Sequence, residues 1–185
     1  MRDPVKRSIS HYWHNVRWHN EKRKIFDALE HDLDLINTSN YFMQINKFLS
    51  FYKFEQLYIL TFEEMIADPA LTVSKIFSWL NVNQNYQPCN LGQKMNVTPS
   101  DIYIPKGNSI IDKLRHTDFW ERINIMFPKP IKKTIYNLTY RKAFCTEKEL
   151  NKAIEYIRGI QKEQVKKLSG LLNRKFNEWK TLYAK

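Results

Sequence analysis

A chain of 185 residues with 43% hydrophobic content can bury one core and is too short for two comfortable ones, so a single domain over residues 1–185 is expected. Its formal charge of +11 calls for an anionic partner, whether nucleotide, sulfated or phosphorylated substrate, nucleic acid or lipid surface, without choosing among them. Cys89 and Cys145 are far apart in no metal-type spacing, and no apolar run approaches the ~18 residues of a membrane span, so the reading is a soluble, unsignalled chain of the cytoplasm without a disulfide framework.

The opening reads as a strand end running into a helix: Asp3 suits the N-cap and Pro4 the first helical position, which sets Arg2 at a strand-to-helix corner. Residues 21–36 carry Ile25, Phe26, Leu29, Leu33 and Ile36 at helical spacing. After a turn, Thr38 or Ser39 can cap a further helix whose Phe42, Ile45, Leu49 and Tyr52 form one buried stripe. Residues 57–62, with the sequence LYILTF, read as a buried strand of a parallel sheet. Beyond Asp68-Pro69, Val73, Ile76, Phe77 and Leu80 mark another helix. Residues 83–109 hold Asn, Gln, Pro and Gly with little periodicity, a long loop of the kind that covers a ligand. Helical signals resume near 110, are interrupted at Pro128 and Pro130, and end in a helix pair presenting Val165, Leu168, Leu172, Phe176 and Trp179.

Arg2 at the corner and Ser10 two turns into the helix can together grip a phosphate, the guanidinium through paired donors and the hydroxyl through one neutral donor. Lys6 and Arg7 add positive potential beside them. His11, His14 and His19 fit no zinc spacing and read as helix-surface residues, so no metal site is expected. The three sequons at Asn37, Asn96 and Asn137 read as chance triplets.

The stretch Arg2-Asp3-Pro4, Arg7, Ser10 and Tyr12 resembles the 3'-phosphate-binding segment of sulfotransferases that use 3'-phosphoadenosine 5'-phosphosulfate (PAPS). Residues 39–82 look like the same family's Tyr-bearing helix, strand, F-E-[DE]-[LM] element, Asp-Pro pair and closing F-x-[FW]-L helix. The tail LSGLLNRKFNEW is similar to the final helix of bacterial and Golgi-type members. The resemblance implies an α/β chain, mostly helical, forming the C-terminal part of a P-loop-like sulfotransferase fold in which helices flank a short parallel sheet. It implies PAPS, or its product adenosine 3',5'-bisphosphate, as nucleotide partner, with Arg2 and Ser10 on the 3'-phosphate, and a hydroxyl or amine acceptor, a glycan among the options. Lys106 and Gly107 match a nucleotide-covering Lys/Arg-Gly element by position only.

The family's Gly-rich 5'-phosphosulfate loop and general base find no counterpart among four scattered glycines, so the base is expected upstream of Met1 and the chain reads as the latter part of a longer, bacterial enzyme, inactive alone. Two other functions stand beside this one. A non-catalytic remnant could bind partners through the same surface, and a basic helical nucleic-acid binder would use Lys132-Lys133, Arg141-Lys142 and Lys166-Lys167, although these pairs are scattered.

Overall fold

The computed structural model describes residues 1–19, 21–93, 102–105, 140–143 and 145–184, with isolated positions between 128 and 138. Helix α1 spans Pro4–Trp18 because Asp3 caps it, its Oδ1 accepting the Val5 and Lys6 amides, and because Pro4 needs no amide partner in the first turn. Helices α2 (Ile25–His31), α3 (Asp34–Asn37) and α4 (Tyr41–Leu49) follow. The single helix expected over 21–36 is divided at Asp32, whose backbone is extended and whose Oδ1 takes the Asp34 amide in a local turn. Asn40, rather than Thr38 or Ser39, caps α4 by accepting the Met43 amide.

The expected strand at 57–62 is shorter and less regular than its composition suggests. A 3-10 turn occupies Phe54–Gln56, Leu57 is extended but residues 57–60 belong to no regular element, and Thr61 with Glu64 forms a capping box that starts α5 (Phe62–Ala67) inside the predicted strand. Met1 donates its amine to the Leu60 carbonyl at 2.7 Å and accepts the Phe62 amide at 2.5 Å, flanking Thr61 on both sides. That alternation belongs to a parallel pair one residue long. The sheet formed among the described residues is instead antiparallel and two-stranded, β1 (Tyr103–Pro105) against β2 (Tyr140–Lys142), with Ile104 opposite Arg141. Among the described residues the only ladder is thus this antiparallel pair, and the parallel pairing is limited to Met1 beside Thr61. Strand β1 lies inside the 83–109 stretch read as loop.

Helix α6 (Pro69–Trp79) starts at the Asp68 cap and Pro69, as its sequence suggests. Helix α7 (Glu147–Leu171) opens on the Thr146–Glu149 capping box and runs 25 residues, about 37 Å. Its Ala153, Ile157, Val165 and Leu168 pack on α1–α4 and make the core with Val5, Leu29, Leu35 and Ile45. The stripe Val165 to Trp179 is not one helix. Asn173 adopts a left-handed backbone (φ 45°), which ends α7 and turns the chain back toward α1. Phe176, Trp179 and Leu182 are then fully buried, and a last turn α8 (Lys180–Tyr183) closes the described chain.

Buried polar groups lock the helices in place. Gln161 Nε2 donates to the Ile36 carbonyl, Gln164 Nε2 donates to Gln161 Oε1 and to the Ser39 carbonyl, and Gln164 Oε1 accepts the Phe42 amide. Ser8 Oγ donates to Ser39 Oγ, so α7 is linked through the α3–α4 junction to α1.

Candidate functional site

The corner formed by residues 1–3 is clasped from three sides. Leu60 and Phe62 hold Met1, the Tyr41 hydroxyl accepts the Arg2 amide at 3.1 Å, and Glu63 Oε1 accepts the Asp3 amide at 3.0 Å. Asp3 is buried and engages both carboxylate oxygens, Oδ1 on the first turn of α1 and Oδ2 on the Thr181 amide at 2.9 Å. Burial pushes the Tyr41 phenol up, so it stays neutral at neutral pH and serves as a fixed dipole under the Arg2 backbone.

On this scaffold the Arg2 guanidinium lies over the Phe62 ring, 5.4 Å from its centroid, within range of a weak cation–π attraction. The Ser10 hydroxyl sits half-buried on the face of α1 that also carries exposed Lys6 and His14. Among the described residues neither the guanidinium of Arg2 nor the hydroxyl of Ser10 has a hydrogen-bond partner, so both donors remain open to a ligand. Helix α1 contains no acidic residue, and its first amides are taken by Asp3, so an anion at this corner would be held by side chains rather than by the helix terminus. Arg7 is turned partly away, its Nε donating to the Thr38 carbonyl at 3.0 Å. His11 contacts Thr38 Oγ1 at 3.2 Å, and burial together with the Arg7 guanidinium lowers its pKa, so it is not a ready cation at neutral pH.

Of the sequence candidates, the structure therefore sets Arg2 and Ser10 on the corner and the following helix, while Lys106 and Gly107 lie outside the described residues. Among the described residues no group of three metal-ligating side chains occurs. Of the basic pairs, Arg141-Lys142 is on β2 and Lys166-Lys167 on α7, and Lys132-Lys133 lies outside the described residues, so the described pairs do not share one element. An open cleft of about 310 Å³ between α6 and residues 84–91 involves none of the corner residues. Sequence reasoning did not assign roles to Tyr41, Glu63 or Thr181. Glu63 stands in the F-E-[DE]-[LM] element, but its contact spans 60 positions and leaves no local pattern.

A family model described as a sulfotransferase domain matches residues 1–97. The crystal structure of a sulfotransferase from Alicyclobacillus acidocaldarius is similar in fold, at 18% identity and a TM-score of 0.58, the match covering 97% of this chain and 55% of that one. The chain thus spans about half the length of that structure. No curated protein matches it. No helix among the described residues is long and apolar enough to cross a membrane.

Proposed function

Because the chain belongs to the sulfotransferase domain family, whose model covers residues 1–97, we propose that it serves the transfer of a sulfuryl group from PAPS to a hydroxyl or amine acceptor, with Arg2 and Ser10 holding the donor's 3'-phosphate. The observation that carries this reading is the corner itself: a guanidinium and a hydroxyl left open beside an acid-free helix, on a backbone fixed by Tyr41, Glu63 and Asp3. A guanidinium offers paired donors matched to phosphate oxygens, and the Ser10 hydroxyl adds a neutral one. Lys106 and Gly107 would extend this grip as part of a segment covering the nucleotide.

Sulfuryl transfer resembles phosphoryl transfer in that positioning and charge neutralisation supply most of the rate. Holding the 3'-phosphate fixes the donor's register and orientation, so that the sulfur meets the acceptor in line. The glycines, Gly92, Gly107, Gly159 and Gly170, are too widely spaced for a phosphate-wrapping loop. Arg2 and Ser10 therefore supply the 3'-phosphate grip, and we assign no residue of this chain to the 5'-phosphosulfate or to the general base. By themselves the 185 residues are expected to bind adenosine 3',5'-bisphosphate modestly and to transfer no sulfuryl group.

Calorimetric titration with adenosine 3',5'-bisphosphate tests the assignment. Arg2→Ala should weaken binding by about tenfold or more, since charge-assisted bonds contribute about 1.5–3 kcal/mol, and Ser10→Ala by less. Affinity unchanged by Arg2→Ala would place the phosphate site elsewhere, and rapid sulfation by the 185 residues alone would show that the catalytic groups lie among them.

A further inference from the structure

The segment after Asn173 lies outside the residues matched by the family model, yet it returns to the phosphate corner at three points. The Thr181 amide donates to Asp3 Oδ2 at 2.9 Å. Trp179, fully buried, lies 5.7 Å ring to ring from Tyr41, the residue whose hydroxyl accepts the Arg2 amide. Arg174 bridges Glu64 at 3.1 Å and Glu178 at 2.6 Å, and Glu64 in turn accepts the Thr61 amide at 2.8 Å, beside the bonds that hold Met1. The segment is itself anchored, since Arg158 Nε donates to the Thr181 carbonyl at 2.7 Å.

We propose that the C-terminal segment Arg174–Tyr183 is a positioning element of the anion site, fixing the Arg2 guanidinium for a 3'-phosphate through Asp3, Tyr41 and the Arg174–Glu64 bridge. The inference rests on the reading of that corner as the 3'-phosphate site. The Thr181 bond acts on Asp3, the Trp179 contact on the phenol that accepts the Arg2 amide, and the Arg174 bridge on the Thr61–Glu64 box between the two residues that hold Met1, and none is made to the Arg2 side chain. The guanidinium therefore keeps its freedom to meet a phosphate while its backbone origin is held, and fixing that origin reduces the ordering cost of binding. Burial pushes the Glu64 carboxyl up, but the Thr61 bonds and Arg174 outweigh it and keep Glu64 ionised, so the bridge persists through neutral pH.

Two variants loosen the segment without touching the donors. Asp3→Asn retains a carbonyl oxygen for the α1 cap and replaces the acceptor facing Thr181 with an amide group. Arg174→Ala removes the bridge. The measurement is the ratio of affinities for adenosine 3',5'-bisphosphate and for 5'-AMP, which differ only by the 3'-phosphate, with thermal melting alongside. Positioning predicts that the ratio falls by about threefold to tenfold in both variants and is partly restored in Arg174→Lys. A lowered melting temperature with an unchanged ratio would overturn the proposal, since the segment would then only support the core. Amide exchange separates this from failure of the 3'-phosphate reading itself, which would show as no preference for the bisphosphate in the unaltered protein. In that case, Arg2 and Asp3 amides that exchange about tenfold faster in Arg174→Ala, with Val165 unchanged, support positioning of the corner, and unchanged Arg2 and Asp3 amides overturn it.

Discussion

Asp3 joins two parts of the chain through one carboxylate, capping α1 with Oδ1 and receiving Thr181 with Oδ2, and its backbone amide adds a third link by donating to Glu63. It is buried to 1% exposure, so removing the carboxylate would take the acceptor from the Val5, Lys6 and Thr181 amides, of which the Val5 amide is buried, while the Asp3 amide would keep Glu63. Asp3→Ala should therefore cost about 2–4 kcal/mol of stability, more than the roughly 1 kcal/mol of an ordinary cap, as read from urea unfolding. A loss below 1 kcal/mol would show that the Thr181 link contributes little. His11 gives the chain a pH response in a different range. Its pKa is depressed by burial and by Arg7, with His14 acting in the same sense and Asp32 and Asp34 opposing, and Thr38 as its hydrogen-bond partner. A depressed histidine binds its proton more readily in the unfolded chain, so the stability it contributes is present above about 6.5 and is lost as pH falls below that value. Melting temperature should decline as pH falls from 7 to below 6.5, and His11→Gln should flatten that decline. Parallel curves for the two proteins would exclude His11 as the cause. Glu21, Glu64 and Glu149, with lowered carboxyl pKa values, act in a more acidic range and do not confuse the comparison.

Elements whose ends are written locally were legible. Asp3-Pro4 and Asp68-Pro69 each pair a cap with a proline in the first turn, and both helices start there. Breaks that depend on one polar side chain were not, because hydrophobic spacing runs through them: Leu33 follows the break at Asp32, and Phe176 and Trp179 continue the spacing past Asn173. The 57–62 segment has strand composition, but T-x-x-E at Thr61 and Glu64 starts a helix within it, a signal present in the sequence and outweighed by the aromatic run. In the candidate site, Arg2 and Ser10 could be named because their spacing is local, whereas Tyr41, Glu63 and Thr181 reach the corner across 39, 60 and 178 positions. The buried amides of α7 were equally silent in the sequence. Gln164→Leu would leave the Phe42 amide and the Ser39 carbonyl without their side-chain partner, so about 2–4 kcal/mol should be lost in chemical denaturation. A neutral result would mean that the network holds the helices in register without adding net stability.

At the scale of the molecule, the described residues place the core among α1–α4, α7 and the segment after it. Residues of α1–α4 and α7 bury their apolar faces together, while Phe51 is 84% exposed and Ile66, Leu80 and Val82 each more than half exposed. Isolated exposed side chains are ordinary, but this concentration along residues 51–82 exceeds what scattered surface apolar residues would give. The protein should accordingly enhance the fluorescence of an apolar dye, and Ile66→Lys with Leu80→Lys should reduce the signal with little change in melting temperature. Dye fluorescence insensitive to both substitutions would place the binding surface elsewhere. The acid-free helix α1 starts beside this segment, where Glu63, with Tyr41, holds the corner and Arg2 lies over the Phe62 ring. Whether that corner is the nucleotide's phosphate site is tested most directly by a crystal structure of the chain with adenosine 3',5'-bisphosphate. The 3'-phosphate should lie within hydrogen-bond distance of both the Arg2 guanidinium and Ser10 Oγ, and a nucleotide bound with that phosphate away from Arg2 would contradict the assignment.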